Sequence, residues 1–234
     1  MSFLKKLFRI LVISGIAFLV LSLLSVLTYR FLNPPLTPLM VIRVFQQASD
    51  ETRVVRIEKD WVDLEDISPW VIKAAIASED QRFESHNGFD FESIEQARAY
   101  NEKNKGKRKR GGSTISQQLA KNLFLWPARS WVRKGFETWF TFLIELLWSK
   151  HRIMEVYLNV IEMGDGVYGI EAAAREYFDT SAIKLNKEKA ALIVACWPSP
   201  LKWSPSKPSK FVKWKKGWII RQMNNLGEPK LIKA

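Results

Sequence analysis

Cysteine and histidine are scarce in this sequence: Cys196 stands alone, and His86 and His151 are the two histidines among 234 residues. One thiol excludes an internal disulfide. Cys196 sits in an apolar run and reads as inert core packing, which leaves the compartment open. No dedicated cluster of metal ligands is visible. The GxxxxGK[ST] order of a Walker phosphate loop is missing, and so is any internal repeat. Strands and helices do not alternate, which argues against a doubly wound parallel sheet. Acids are in deficit, 24 against 36 Lys and Arg, for a formal charge of +12. That balance suits an anionic partner: a membrane surface, nucleic acid or a phosphate-bearing substrate. Tryptophan, by contrast, is plentiful at ten, and it favours places with one apolar side and one wet side.

Charge disappears over residues 10–29 (ILVISGIAFLVLSLLSVLTY), a run of 20. That length spans a hydrocarbon core. Lys5, Lys6 and Arg9 precede it and no small-x-small cleavage site follows, so it reads as an uncleaved transmembrane anchor rather than a cleaved signal. The positive-inside rule keeps residues 1–9 cytoplasmic, against the weaker pull of Arg30 on the far side. Residues 30–53 are then a linker, stiffened by NPPLTP at 33–38. Residues 54–226 form the catalytic candidate and 227–234 a tail. Short strands or extended chain are expected at 54–57 and 61–64. From Ser68 onward, period and caps predict helices near 69–82, 91–101, 114–122, 131–148, 150–158, 168–178, 187–196 and 209–225. The expected fold class is mainly α. Residues 103–110 hold six Lys or Arg in eight positions. That self-repelling loop is either merely solvated or drawn to lipid head groups.

Three stretches carry chemistry. The first is EDQRFESHNGFD at 79–90. Ser68 caps and Pro69 opens the preceding helix, on which Ile72, Ala75, Ile76, Glu79 and Phe83 share one face. Glu79 is therefore expected toward the core, where an acid needs a partner, a proton or a chemical role. The alternative is a helix that ends earlier and leaves Glu79 in water. The second is GGSTISQQLAKN at 111–122. Its glycines permit a tight turn, Thr114 and Gln117 make a capping box, and the helix start offers an anion site. Lys121 lies one turn past Gln117, and Arg129 follows the Trp126-Pro127 break. Two cations near one helix start can hold a diphosphate; a plain capped helix with surface charges is the alternative. The third is the helix at 131–148, apolar nearly all round and therefore buried. Arg133, Glu137, Thr141 and Glu145 nevertheless make a polar stripe along it. Such a stripe faces a cavity, with Glu137 as its acid, unless Arg133 and Glu137 are only a surface pair. Glu145 either continues the stripe or pairs with Lys150.

In their order and spacing, EDQRFESHNGFD, GGSTISQQLAKN, RKGFE at 133–137 and SKHRIMEVYLN at 149–159 resemble the signature motifs of the peptidoglycan glycosyltransferases, the lysozyme-like polymerases that use lipid II. The resemblance covers roughly residues 54–226, with Ser116 where threonine is common. It leaves no room for a second, penicillin-binding domain, so the chain looks like a monofunctional member of the Gram-negative kind. The resemblance implies a mainly α, lysozyme-like glycosyltransferase domain with a small, partly hydrophobic jaw lobe near the membrane, behind one N-terminal transmembrane helix.

It also implies roles. Glu79 matches the base that takes the proton from the acceptor's 4-hydroxyl. Glu137 matches a second acid at the donor's sugar-diphosphate end. Lys121 and Arg129 match the cations that bind the donor diphosphate. Ser113, Thr114, Gln117, Arg133 and Lys134 match groove residues, Asp80 a residue that orients the local network, and His86 a motif residue counted with the substrate-binding set. No cofactor is obligatory in this reading; Mg2+ or Mn2+, held partly by the diphosphate, is the optional one. The implied partners are lipid II and the growing lipid-linked strand, the membrane, and other cell-wall synthesis and division proteins, with no nucleic acid. The implied location is the inner membrane, single-pass, with a periplasmic catalytic domain. A lytic, glycan-cleaving enzyme is the rival on the same fold, but it has no use for paired Lys121 and Arg129. A membrane-anchored basic binding protein explains the charge and the anchor, but not Glu79 and Glu137 on apolar faces.

Overall fold

The computed structural model describes residues 3–104, 111–128 and 130–232. Residues 105–110 of the basic segment and Arg129 lie outside these. The elements run α1 (Phe3–Phe31), α2 (Pro38–Ala48), β1 (Glu58–Lys59), α3 (Pro69–Glu79), α4 (Phe91–Lys103), α5 (Ile115–Phe124), α6 (Trp131–Leu147), α7 (Lys150–Val160), β2 (Glu162–Gly164), β3 (Val167–Tyr168), α8 (Ile170–Phe178), α9 (Lys187–Cys196) and α10 (Lys210–Asn225). The expected caps hold the helix starts. Ser68, Thr114, Ser149 and Ser209 each accept a backbone N–H from the first turn that follows.

Helix α1 is 29 residues, about 44 Å at 1.5 Å per residue. It is the one helix among the described residues long and apolar enough to cross a membrane. Its C-terminal half docks on α6. The Trp139 indole N–H donates to Ser22 Oγ at 3.0 Å and that of Trp148 to the Val26 carbonyl at 2.9 Å. The Phe18 ring tilts against Phe136 at 5.2 Å. Arg152 of α7 then grips the anchor's end, donating to the Tyr29 carbonyl at 3.0 Å and the Leu32 carbonyl at 2.8 Å.

Two expectations are corrected, and one pair of alternatives is decided. The linker contains a helix, α2, because Thr37 caps it through the Met40 N–H and Pro38 takes the first helical position. The proline that stiffens the exit is also a helix start. Neither 54–57 nor 61–64 is a strand. The pairing residues lie between them, with Glu58–Lys59 parallel to Val167–Tyr168, in a three-stranded sheet of order β1-β3-β2. Finally, α3 ends at Glu79 rather than near 82, because Asp80 leaves the helical basin at φ −161°, ψ 79°.

The main core joins α3, α5, α6, α7 and α8 around Ile76, Leu119, Ile144, Met154 and Ala173. A second cluster packs α3, α9 and α10 through small residues, Ala74, Ala77, Ala191 and Ala195, which let the helices approach closely. Cys196 belongs to it, 1% exposed, with burial pushing its thiol up to about 11. The native protein is therefore expected to resist iodoacetamide at neutral pH. Cys196 labelling followed against denaturant should track global unfolding; rapid labelling of the folded state would contradict this packing.

Candidate active site

The first motif closes on itself through Asp80. Its carboxylate accepts the His86 Nε2 proton at 2.9 Å and the Ile115 N–H at 3.0 Å. The Gly88 N–H donates to His86 Nδ1 at 3.1 Å, so the ring proton rides on Nε2. Gly88 holds φ +88°, and a Cβ there would meet Thr141 and Glu145 of α6 at 2.9 Å, so glycine is needed both for conformation and for approach. Thr114 Oγ1 donates to the Gly88 carbonyl at 2.7 Å while accepting the Gln117 N–H at 3.2 Å. The capping box forms as expected, with Gln117 Oε1 accepting the Thr114 N–H. These bonds have a consequence for anion binding. The helix start of α5 was expected to receive a substrate anion, but it is already occupied by the Asp80 carboxylate.

The neighbouring acid takes the opposite course. Glu79 is half-buried rather than sunk in the core, because the helix ends at this residue. Its carboxylate accepts Ser78 Oγ at 2.9 Å and Gln118 Nε2 at 3.0 Å. Gln118 is in turn held by the buried Tyr157 hydroxyl, which donates to its Oε1 at 3.1 Å. Burial, then the charges of Glu79 and Asp80, push the Tyr157 phenol well above its ordinary value, so it stays a donor.

Gln118 and Tyr157 reach a cavity of about 430 Å³ between α2, α5, α6 and the 197–200 segment. The cavity is lined by Ser113, Gln117, Lys121, Arg133, Lys134 and Glu137 among others. Glu137 is 3% exposed on the inner face of α6. Its two oxygens accept Arg133 Nη1 at 2.6 Å and the Lys134 ammonium. The polar stripe therefore faces inward, as expected. Glu145 proves to be a structural pair with Lys150 at 2.8 Å and also accepts the Ser116 hydroxyl. Burial pushes the Lys121 amine below its ordinary value, opposed by the charges of Glu137 and Glu79. Lys121 shares the cavity with the cations Arg133 and Lys134, and three cations on one wall can receive an anion.

Of the expected site residues, Ser113, Gln117, Lys121, Arg133, Lys134 and Glu137 share the cavity. Glu79 adjoins it through Gln118. Asp80, His86 and Thr114 are not in its lining; they are buried, Asp80 bonded to His86 and Thr114 to the Gly88 carbonyl, and act as a clamp. Residues the sequence reading passed over also line it. Gln118 and Tyr157 carry the link to Glu79, and Arg43 of α2 pairs with Glu162 at 2.7 Å. The adjacent glutamines at 117 and 118 were the available signal for Gln118; for Arg43 it was the Leu39 to Arg43 spacing on an unnoticed helix.

Residues 46–224 match the family described as transglycosylase. The chain is 54% identical over 209 residues to the biosynthetic peptidoglycan transglycosylase of Bacteroides thetaiotaomicron, covering 89% of this chain and 83% of that protein. It is 54% identical over 206 residues to the protein of the same name from Bdellovibrio bacteriovorus, covering 88% and 81%. With that of Pseudomonas putida strain GB-1 the identity is 51% over 208 residues, covering 89% and 87%.

The two adjacent acids should separate in stability measurements. Asp80→Ala strands the Ile115 N–H and the His86 proton, so it should cost about 3 kcal/mol in urea unfolding. Glu79→Gln, at a half-exposed site, should stay within about 1 kcal/mol of wild type. Equal losses would contradict the division between clamp and free acid.

Proposed function

This chain belongs to the transglycosylase family and is a glycosyltransferase of peptidoglycan synthesis, and we propose that it polymerises lipid II in the cavity beside Glu79. The observation that carries the reading is a cavity that gathers Lys121 with the Arg133 and Lys134 bonded to a buried Glu137, and whose Gln118 also bonds a half-exposed Glu79. In this reading the acceptor's 4-hydroxyl oxygen attacks the anomeric carbon of the donor. Its proton passes to the Glu79 carboxylate, which Ser78 and Gln118 orient. The bond from the anomeric carbon to the diphosphate oxygen breaks from the opposite face. The α-linked diphosphate thereby becomes a β-1,4 glycosidic bond, and undecaprenyl diphosphate leaves.

Negative charge grows on that leaving group, and fixed cations are the matching device. Lys121 supplies one; Arg129, outside the described residues, is assigned the second. Glu137 holds Arg133 and Lys134 at the cavity wall, so its own role is to fix cations at the sugar-diphosphate end. Ser113 and Gln117 supply polar contacts to the same groove. Among the described residues no three His, Cys, Asp or Glu side chains converge on a metal-sized site. Both oxygens of Glu137 already accept protein donors. A divalent Mg2+ or Mn2+ would accordingly ride on the diphosphate oxygens, where it would add positive charge. The lytic reading loses ground here, because a glycan-cleaving enzyme needs a proton donor at the sugar oxygen and not a cluster of cations.

The setting follows from α1. The basic N-terminus is assigned to the cytoplasm and the catalytic domain to the periplasmic face of the inner membrane. An anchored enzyme meets a substrate whose tail stays in the same bilayer at high effective concentration. Cell-wall synthesis and division proteins are the expected protein partners.

The test is polymerisation of labelled lipid II by the purified full chain. Glu79→Gln should lower kcat by roughly 10²–10⁴-fold, and Lys121→Ala or Arg129→Ala by about 10²-fold or more. Wild type that leaves lipid II untouched and shortens preformed glycan strands would overturn the synthase reading.

A further inference from the structure

Between Glu188 and Glu228 the chain carries no acid, while residues 189–227 hold seven lysines and one arginine. This stretch covers most of α9, the 197–209 crossing and α10. One side of α10 packs on α3 and α9 through Val212, Ile219 and Met223. Its other side carries aromatic rings. Trp203, half-buried, lies 5.1 Å from Phe211, and Phe211 lies 5.6 Å from Trp214. Phe211 is 50% exposed and Trp214 59%, where a helix surface ordinarily carries polar side chains. Each ring has a lysine beside it in sequence, Lys202, Lys210 and Lys213, all exposed. Among the described residues these three ammonium groups have no hydrogen-bond or ion-pair partner. Lys216, by contrast, reaches Glu188 at 2.6 Å.

This ledge of rings is fixed, and it adjoins the cavity. Trp197, Pro198 and Pro200 line the cavity, and the exposed Leu201 follows at once. The Trp203 N–H donates to the Ser199 carbonyl at 2.9 Å, which ties the first ring to the cavity wall. Ser209 caps α10 through the Val212 N–H at 3.2 Å, and Pro205 is buried between them. Rings held in place beforehand lose little freedom on binding. A cavity of about 430 Å³ encloses a small molecule, not a polymer, so a lengthening glycan must leave it across the surface.

We propose that the Trp203–Phe211–Trp214 ledge is a docking surface, outside the cavity, for the glycan strand with its peptide stems. The proposal rests on the strand-polymerising reading above. The C–H face of a pyranose packs on an aromatic ring while its hydroxyls stay in water. The stem peptides carry carboxylates, and unpaired lysines on an acid-free surface are complementary to them. The position of the anchor favours this occupant over a bilayer: α1 docks on α6, whereas the ledge sits on α10, which packs on α3 and α9.

The test is direct binding of lipid-free, uncrosslinked peptidoglycan strands to the full chain in neutral phosphatidylcholine nanodiscs. The double variant Phe211→Ala/Trp214→Ala should raise Kd about tenfold. Lys210→Gln/Lys213→Gln should raise it roughly fivefold and flatten its salt dependence. Soluble chitin oligomers, a similar β-1,4 glycan without carboxylates, should lose affinity in the aromatic variant alone. Both variants change exposed side chains, so Tm should stay close to wild type. Strand affinity unchanged in either variant overturns the proposal. So does quenching, by brominated phosphatidylglycerol, of a fluorophore on Lys213→Cys, which would put the ledge against a bilayer; the buried Cys196 does not take the label. If wild type binds strands through the ledge but leaves lipid II unpolymerised, the synthase reading fails instead. If it polymerises lipid II while the ledge variants bind strands like wild type, this inference alone fails.

Discussion

The site hangs on a carboxylate that does not face the cavity. Asp80 accepts the first free N–H of α5 and the Nε2 proton of His86, and so ties the end of α3 to the start of α5. A negative charge at a helix N-terminus is favourable, and here it is buried, so the bond is stronger than an exposed one. The 80–90 loop wraps around this contact through Gly88, whose carbonyl takes the Thr114 hydroxyl. Gln118 and Lys121 lie about one and two turns along a helix whose start is held by this contact.

The same contact explains how two consecutive acids come to differ. Asp80 departs from helical φ and ψ, so its side chain turns inward while Glu79 remains on the last helical turn. Glu79 keeps partial solvent access and, among the described residues, has Ser78 and Gln118 as its hydrogen-bond donors. Its carboxylate is therefore reachable without breaking a buried ion pair. Glu137 shows the converse arrangement, in which two cations occupy both oxygens and the acid serves to hold charge at a wall.

Helix α6 couples this site to the anchor. Its inner face carries Glu137 and Thr141 toward α5, and another face receives α1 through Trp139 and Phe136. A helix apolar nearly all round thus finds two partners, the protein core and the apolar N-terminal helix. Exposed Trp131 and Val132 stand at the start of the same helix, beside the cavity's cations. The cation-lined cavity is consequently built on the element that docks α1.

Much of this was legible from local pattern. The apolar run, the Ser68-Pro69 start, the Thr114–Gln117 capping box and the inward stripe of α6 depend on residues one to four positions apart, and periodicity reports such spacing directly. The motif resemblance added the expected roles of Glu79, Lys121 and Glu137. What the pattern could not decide was settled by contacts across long stretches of chain. Glu79 and Asp80 are adjacent, and contacts made by Asp80 with His86 and the distant Ile115 N–H mark the one that is buried. Gln118 meets Tyr157 over 39 positions, and Arg43 meets Glu162 over 119. The sequence by itself determined the helices, their caps and the polar stripe, because those follow from nearest-neighbour sterics and spacing. Only the tertiary structure decided which charges are paired, buried or left free, because that depends on which helices pack together.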